Sequence, residues 1–309
     1  MPLLYFNPEF LDHATGDHPE SPERLRQVHQ RLRSSGLVTS FEVPAWQAAT
    51  AEQLETVHAN RHVEKIKDFA AAGGGWMGTD TFLSERSFDV ARLAVGSVVD
   101  AVDRVLTGTH RQAVCLVRPP GHHALPGMAM GFCLFNNVAI GAVHARLFHH
   151  LHRILIVDWD VHHGNGTQRI FYRDHDVYYV SVHRHPFYPG TGLADETGAA
   201  DGKGTIFNLP LPFGIPRKEL LTRFGDLLTE AAQKCRPELV LLSAGFDAHH
   251  ADVQGSLGLE TEDYEALTCM TLDVAKEHCD GRLVSVLEGG YNPPILADCV
   301  ELHLRTLLQ

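Results

Sequence analysis

The apolar run Ile154-Leu155-Ile156-Val157 leads straight into Asp158-Trp159-Asp160-Val161-His162-His163-Gly164-Asn165. Carboxylates and imidazoles that follow an all-apolar stretch need partners, and one divalent cation satisfies several at once. With strand alternation, Asp158, Asp160 and His162 share a side while Trp159 and Val161 face the other. Asp160 and His162 then reach one ion, with a second carboxylate beneath, and a mixed oxygen and nitrogen donor set suits zinc. Two ligands do not close a site. The run Leu239-Val240-Leu241-Leu242-Ser243-Ala244-Gly245-Phe246-Asp247 repeats the pattern, and Asp247 is the expected third ligand, at the strand end where open parallel sheets carry functional groups. His249, His250 and Asp252 follow closely, and a solvated loop is expected of them rather than ligation. A metal-free Asp/His hydrogen-bond network is the plainer alternative for the first run.

A third run, 113–117, ends in Arg118-Pro119-Pro120-Gly121-His122-His123. The prolines stop the strand and stiffen the loop, and Gly121 permits a tight turn. A general base must be neutral near pH 7 and able to take a proton from water, which suits imidazole. Each histidine then needs an acceptor on its far nitrogen, for which Asp158 is a charged candidate and Asn165 an uncharged one. Such a pair divides into unequal members, and which is base and which is acid stays open; a second metal held by both is the competing reading. The fourth run, 283–287, ends in Glu288-Gly289-Gly290-Tyr291, where two glycines can swing a phenol over a cavity to stabilise an oxyanion. A purely structural tyrosine is the alternative.

These strand ends need elements to position them. Apolar strands near 113–117, 154–158, 177–182, 239–243 and 283–287 alternate with helix-like stretches at 88–106, 134–149, 217–234 and 261–278. That alternation predicts an α/β fold with a parallel sheet and helices on both faces. The first seventy residues open with a strand at 3–6 and continue through helices near 21–34 and 50–71, with Pro22 near N1 of the first. Gly73-Gly74-Gly75 reads as a loop, and 309 residues suffice for one large core, so a single domain over 1–309 is expected.

Six cysteines without CxxC spacing read as free thiols of a reducing cytoplasm. No run of eighteen apolar residues and no basic-then-apolar leader is present, so no membrane span and no secretion are expected. The formal net charge of -12 argues against nucleic-acid binding and tolerates a cationic substrate. No dinucleotide fingerprint or phosphate loop is found.

Taken together, Arg118-Pro-Pro-Gly-His-His-Ala124, Gly131-Phe-Cys-Leu-Phe-Asn-Asn-Val-Ala-Ile140, Asp158-Trp-Asp-Val-His-His-Gly-Asn-Gly-Thr167, Ser243-Ala-Gly-Phe-Asp-Ala248 and Glu288-Gly-Gly-Tyr-Asn292 resemble the zinc-dependent histone deacetylase superfamily. The wording is closest to its class II branch, with bacterial deacetylase-like amidohydrolases and acetylpolyamine amidohydrolases. The resemblance implies an arginase/deacetylase-like fold with a central eight-stranded, mostly parallel sheet. It implies catalytic zinc on Asp160, His162 and Asp247, and the tandem histidines His122 and His123 backed by Asp158 and Asn165. The carbonyl-polarising phenol would be Tyr291, and the substrate tunnel would be lined by Gly131, Phe132 and Tyr188. Many relatives carry phenylalanine at the place of Tyr188. Arg24 would sit in an internal cavity beneath the metal, a possible exit for acetate. A structural potassium would be held by Asp158, Asp160, His162, Ser181 and Val182. The implied activity is hydrolysis of acetyl or other short acyl amides of amines such as acetyl-lysine, in proteins or peptides. Acetylpolyamine hydrolysis is the alternative; it wants acids at the tunnel mouth, for which Asp12, Asp80, Asp195 and Glu196 are candidates, and often a homo-oligomer that narrows it. A non-catalytic acyl-lysine binding module and a two-manganese arginase-type enzyme are the remaining readings.

Overall fold

The computed structural model describes residues 1–309. The chain opens with β1 (Leu3–Tyr5), α1 (Pro22–Ser34), α2 (Ala51–Glu55) and α3 (Asn60–Ala71), then the hairpin β2 (Gly75–Met77) and β3 (Thr81–Leu83). It continues through α4 (Ser87–Thr107), β4 (Gln112–Cys115), α5 (Asn137–His149), β5 (Ile154–Asp158), α6 (Asn165–Phe171), β6 (Val177–Arg184) and β7 (Ile206–Leu211). The last third holds α7 (Arg217–Cys235), β8 (Leu239–Ala244), α8 (Asp263–Cys279), β9 (Leu283–Leu287) and α9 (Pro293–Leu307).

The main sheet has seven strands in the order β1-β4-β9-β8-β5-β6-β7, and every pairing is parallel. The expected eighth strand is absent from it; β2 and β3 pair only with each other. Strands β5, β8 and β9 are buried at every residue, which explains why they read as unbroken apolar runs: helices cover both of their faces. α4 packs on α5, while α1, α9, α8 and α7 pack in succession. One continuous apolar cluster of 71 buried residues runs through the sheet, so the strand ends that carry the chemistry share one rigid support.

Local chemistry accounts for several boundaries. Pro22 occupies the first turn of α1 as expected, and the Asn136 side chain caps α5 by accepting the Ala139 N–H. The single helix expected over 50–71 is two. Thr50 and Gln53 form a capping box that starts α2, and the chain then turns so that His58 can bond the Leu125 carbonyl and accept the Asn136 N–H. The glycine run is not all loop, because Gly75 begins β2. β7 went unrecognised because Pro210 and Asn208 interrupt it, and its place at the sheet edge is where proline is tolerated. No helix is long and apolar enough to cross a membrane, and all six cysteines are free.

Candidate active site

β4, β5, β8 and β9 are neighbours in the sheet and all run the same way, so the loops that leave them meet at one edge. There Asp160, His162 and Asp247 converge. His162 Nδ1 lies 3.0 Å from Asp160 Oδ1 and 3.1 Å from Asp247 Oδ2, and all three residues are buried. The outer oxygens are held by backbone: Gly289 N–H donates to Asp160 Oδ2 at 2.8 Å, and Val161 N–H donates to Asp247 Oδ1 at 2.9 Å. That turns Asp160 Oδ1 and Asp247 Oδ2 toward the imidazole. Gly289 is required at this spot, since a Cβ there would come within 2.1 Å of Asp247 Oδ2.

Two buried carboxylates around one imidazole create a local excess of negative charge. Burial and the neighbouring Asp160 charge push Asp247 up to about 7. Burial alone would keep His162 neutral, but its bonds to Asp160 and Asp247 push it up to about 10. A divalent cation would relieve both, and two oxygens plus one nitrogen within 4.8 Å of one another, with room for a further position, fit zinc.

The tandem histidines are engaged separately. His122 Nδ1 lies 3.1 Å from Asp158 Oδ2, and His123 Nδ1 lies 2.7 Å from Asn165 Oδ1. Their environments therefore differ as the sequence suggests. Burial opposes charge on His122, yet Asp158, Asp160 and Glu288 outweigh it and raise its pKa well above the usual imidazole value. His123 is held well below that value by burial and by the neighbouring His122 and His162. Asp158 itself is anchored by the Tyr179 hydroxyl at 2.9 Å and by accepting the Asp160 N–H.

A cavity of about 450 Å³ opens over this edge, lined by His123, His162, Tyr291, Gly131, Phe132 and Tyr188 among others. A larger, shallower groove of about 660 Å³ along α7 and α8 contains none of the expected site residues. Phe132 meets Tyr291 edge to face at 5.5 Å, and Tyr188 meets His123 edge to face at 5.2 Å. Arg24 lies behind the phenol: its guanidinium is 4.8 Å from the Tyr291 ring centre, and it bonds the carbonyls of Gly290 and Glu288. Asp158 and Ser181 are partners across β5 and β6, with Val182 next in line.

Several expectations for flanking residues are corrected. His249 is buried and tied to Ala251 and Thr261, and Asp252 is half-buried and accepts the Tyr291 N–H at 2.6 Å; of the three only His250 is exposed. Asp252 thus positions the phenol's backbone, and no sequence signal beyond proximity to Asp247 pointed to it. Among the candidate rim acids, Asp80 lines the cavity, while Glu196 bonds Gln168 and Gly192 elsewhere. Glu288 was also missed as a site residue. Its carboxylate accepts the N–H groups of Gly121 and His122 and the Ser243 hydroxyl, holding the tandem-histidine loop from β9. A charged residue at the end of an apolar parallel strand was the available signal, the same one that exposed Asp158.

The histone deacetylase domain model matches residues 18–307. A histone deacetylase-like amidohydrolase of Pseudomonas aeruginosa is 38% identical over 93% of this chain and 76% of its own length. A probable deacetylase of Archaeoglobus fulgidus is 37% identical over 94% of this chain and 81% of its own. The solved HDA15 HD domain superposes with a TM-score of 0.93 at 35% identity, covering 99% of this chain and 89% of that one. With the motifs, the parallel sheet and the site geometry in agreement, the chain belongs to the histone deacetylase family.

Proposed function

We propose that this protein is a zinc-dependent amidohydrolase, a single catalytic domain over 1–309, that removes acetyl or other short acyl groups from N-acylated amines such as acetyl-lysine. The observation that carries the reading is the convergence of the Asp160–His162–Asp247 cluster, His123 and Tyr291 on one cavity. When bound at those three ligands, zinc would supply Lewis acidity for an amide carbonyl and for water.

The chain's own groups do the rest. With Nδ1–H donated to Asn165, His123 presents an unprotonated Nε2 and takes the proton of the attacking water. His122, deeper and paired with Asp158, supplies compensating charge behind it. Tyr291 donates its O–H to the oxygen that becomes negative, while Arg24 and Asp252 hold its loop. Collapse of the tetrahedral adduct needs a protonated leaving nitrogen, and His123 returns the proton it took. A carboxylate and a free amine leave.

The test is a comparison of rates for zinc-loaded protein on an acetyl-lysine peptide, acetylputrescine and longer acetylpolyamines, before and after chelation. Turnover that disappears with the metal is expected, fastest on the peptide. Preference for acetylputrescine would move the assignment to polyamines, and inactivity on every N-acyl amine would leave the binding-module reading.

A further inference from the structure

The cavity wall formed by Tyr188 carries a hydroxyl, and that hydroxyl is committed: it donates to Asp80 Oδ2 at 2.9 Å. The same carboxylate accepts the Gly131 N–H, at 3.2 and 3.3 Å from its two oxygens. The next residue, Thr81, accepts the Phe132 N–H at 3.2 Å and donates its hydroxyl to Asp80 Oδ1 at 2.9 Å. Two consecutive residues of the β2–β3 hairpin therefore tie together both walls of the tunnel, one through backbone and one through a phenol. Phe132 has φ 69, a left-handed conformation that a phenylalanine does not hold without support. The hairpin is itself anchored, with Thr81 fully buried and His18 Nε2 at 3.0 Å from the Asp80 carbonyl.

Position along the tunnel decides what such a tie can select. His162 and Tyr291 are 9% and 7% exposed and lie at its inner end, whereas Tyr188 at 39% lies at its mouth. A substrate larger than the cavity keeps its bulk outside. Its acyl group must then point inward, and the chain attached to nitrogen must thread between Phe132 and Tyr188.

Resting on the amidohydrolase reading above, we infer that Tyr188 and Asp80 form a strap across the mouth that determines specificity, admitting slender unbranched methylene chains beside the scissile nitrogen and rejecting wider ones. Parting the walls for a wider chain breaks a hydrogen bond to a charged acceptor, a cost that slender chains avoid. Tyr188→Phe removes the strap and keeps the ring against His123.

The experiment measures kcat/KM of the zinc-loaded full chain on two matched peptides. One carries acetyl-lysine; in the other an acetylated 4-(aminomethyl)phenylalanine puts a ring where the methylenes were. Wild type is expected to favour the lysine peptide by about a hundredfold, the range a shaped pocket reaches. Tyr188→Phe should narrow that preference by about tenfold, the worth of one charge-assisted bond, mostly through KM of the wider peptide. In an Asp80→Ala background, adding Tyr188→Phe should change the ratio no further. An unchanged ratio in Tyr188→Phe, an equal slowing on both peptides, or a fresh tenfold effect without Asp80 would each overturn the strap. Inactivity of zinc-bound wild type on both peptides would instead remove the amidohydrolase reading and the strap with it.

Discussion

Two buried charge clusters flank the loop of residues 288–291, and the fold treats them differently. On one side Glu20, Arg24 and Arg118 are all fully buried. Arg118 grips both Glu20 oxygens, at 2.5 and 2.8 Å, and Arg24 adds a bond at 3.1 Å. Four other guanidinium N–H groups go to the carbonyls of Phe10, His13, Glu288 and Gly290. Burial would raise the Glu20 pKa, but Arg118 and His13 hold it well below the ordinary carboxylate range. On the other side Asp160 and Asp247 share the His162 imidazole, with His122 Nε2 a further 3.8 Å from Asp160, and neither carboxylate bonds a guanidinium. The first cluster is complete within the chain; the second would be completed by an ion. Burying acids is therefore not itself the sign of a metal centre. The sign is acids buried without enough cations of the protein's own.

The sharpest way to break that contrast is to remove an acid from the second cluster. Asp247→Ala is expected to lose bound zinc, measured by elemental analysis, and to lose turnover by at least about three orders of magnitude, since Lewis acidity is worth several kcal/mol. Wild type should gain about 2.7 kcal/mol of stability at zinc a hundredfold above its Kd, and Asp247→Ala should gain none. Arg118→Gln tests the other cluster. It leaves Glu20 short of its main partner, so denaturant unfolding should show a loss of about 3–5 kcal/mol, while the stabilisation by zinc persists. If zinc stabilised the Arg118 variant by a different amount from wild type, or failed to stabilise wild type, the two clusters would not be separate devices.

Tyr291 lies between them, its ring against the Arg24 guanidinium and its side chain lining the cavity shared with His162. Tyr291→Phe should bind zinc normally and turn over about a hundredfold to a thousandfold more slowly, the effect of losing one oxyanion donor. Unchanged turnover in a steady-state assay would place the phenol outside the reaction.

How far the sequence revealed this arrangement follows from distance along the chain. Asp158, Asp160 and His162 were legible because a strand delivers them within five residues, and Asp247, His122 and Tyr291 because each follows another apolar strand. Strand ends announce themselves. Pairings such as Glu20 with Arg118, 98 positions apart, or Arg24 with Gly290, 266 apart, exist only once the sheet is ordered, and no local pattern encodes them. Tertiary context also split the helix expected over 50–71, where His58 is drawn toward Leu125 and Asn136. The edge strand β7 hid behind Pro210 for the same reason that the edge tolerates it.

A third treatment of buried polarity refines the comparison, because some groups are simply kept neutral. His303 lies fully inside, bonded to Thr268 Oγ1 at 2.8 Å and Ser285 Oγ at 3.0 Å, with no acid partner among its bonds. Burial pushes it from 6.5 down to about 3. Because the folded pKa is depressed, the unfolded chain binds the proton first as pH falls, so the stability this residue contributes is present above about 6.5 and is lost between there and about 3. One group titrating in this way adds a slope of about 1.4 kcal/mol per pH unit within that window. Replacing it by His303→Gln, which can still reach both hydroxyls, should make denaturation free energy less steep in pH by about that amount below 6.5, with zinc chelated in both proteins so that the metal ligands do not contribute. Equal slopes for the two chains would mean that His303 is protonated inside the fold and that its neutrality is not one of the ways this protein tolerates buried polar groups.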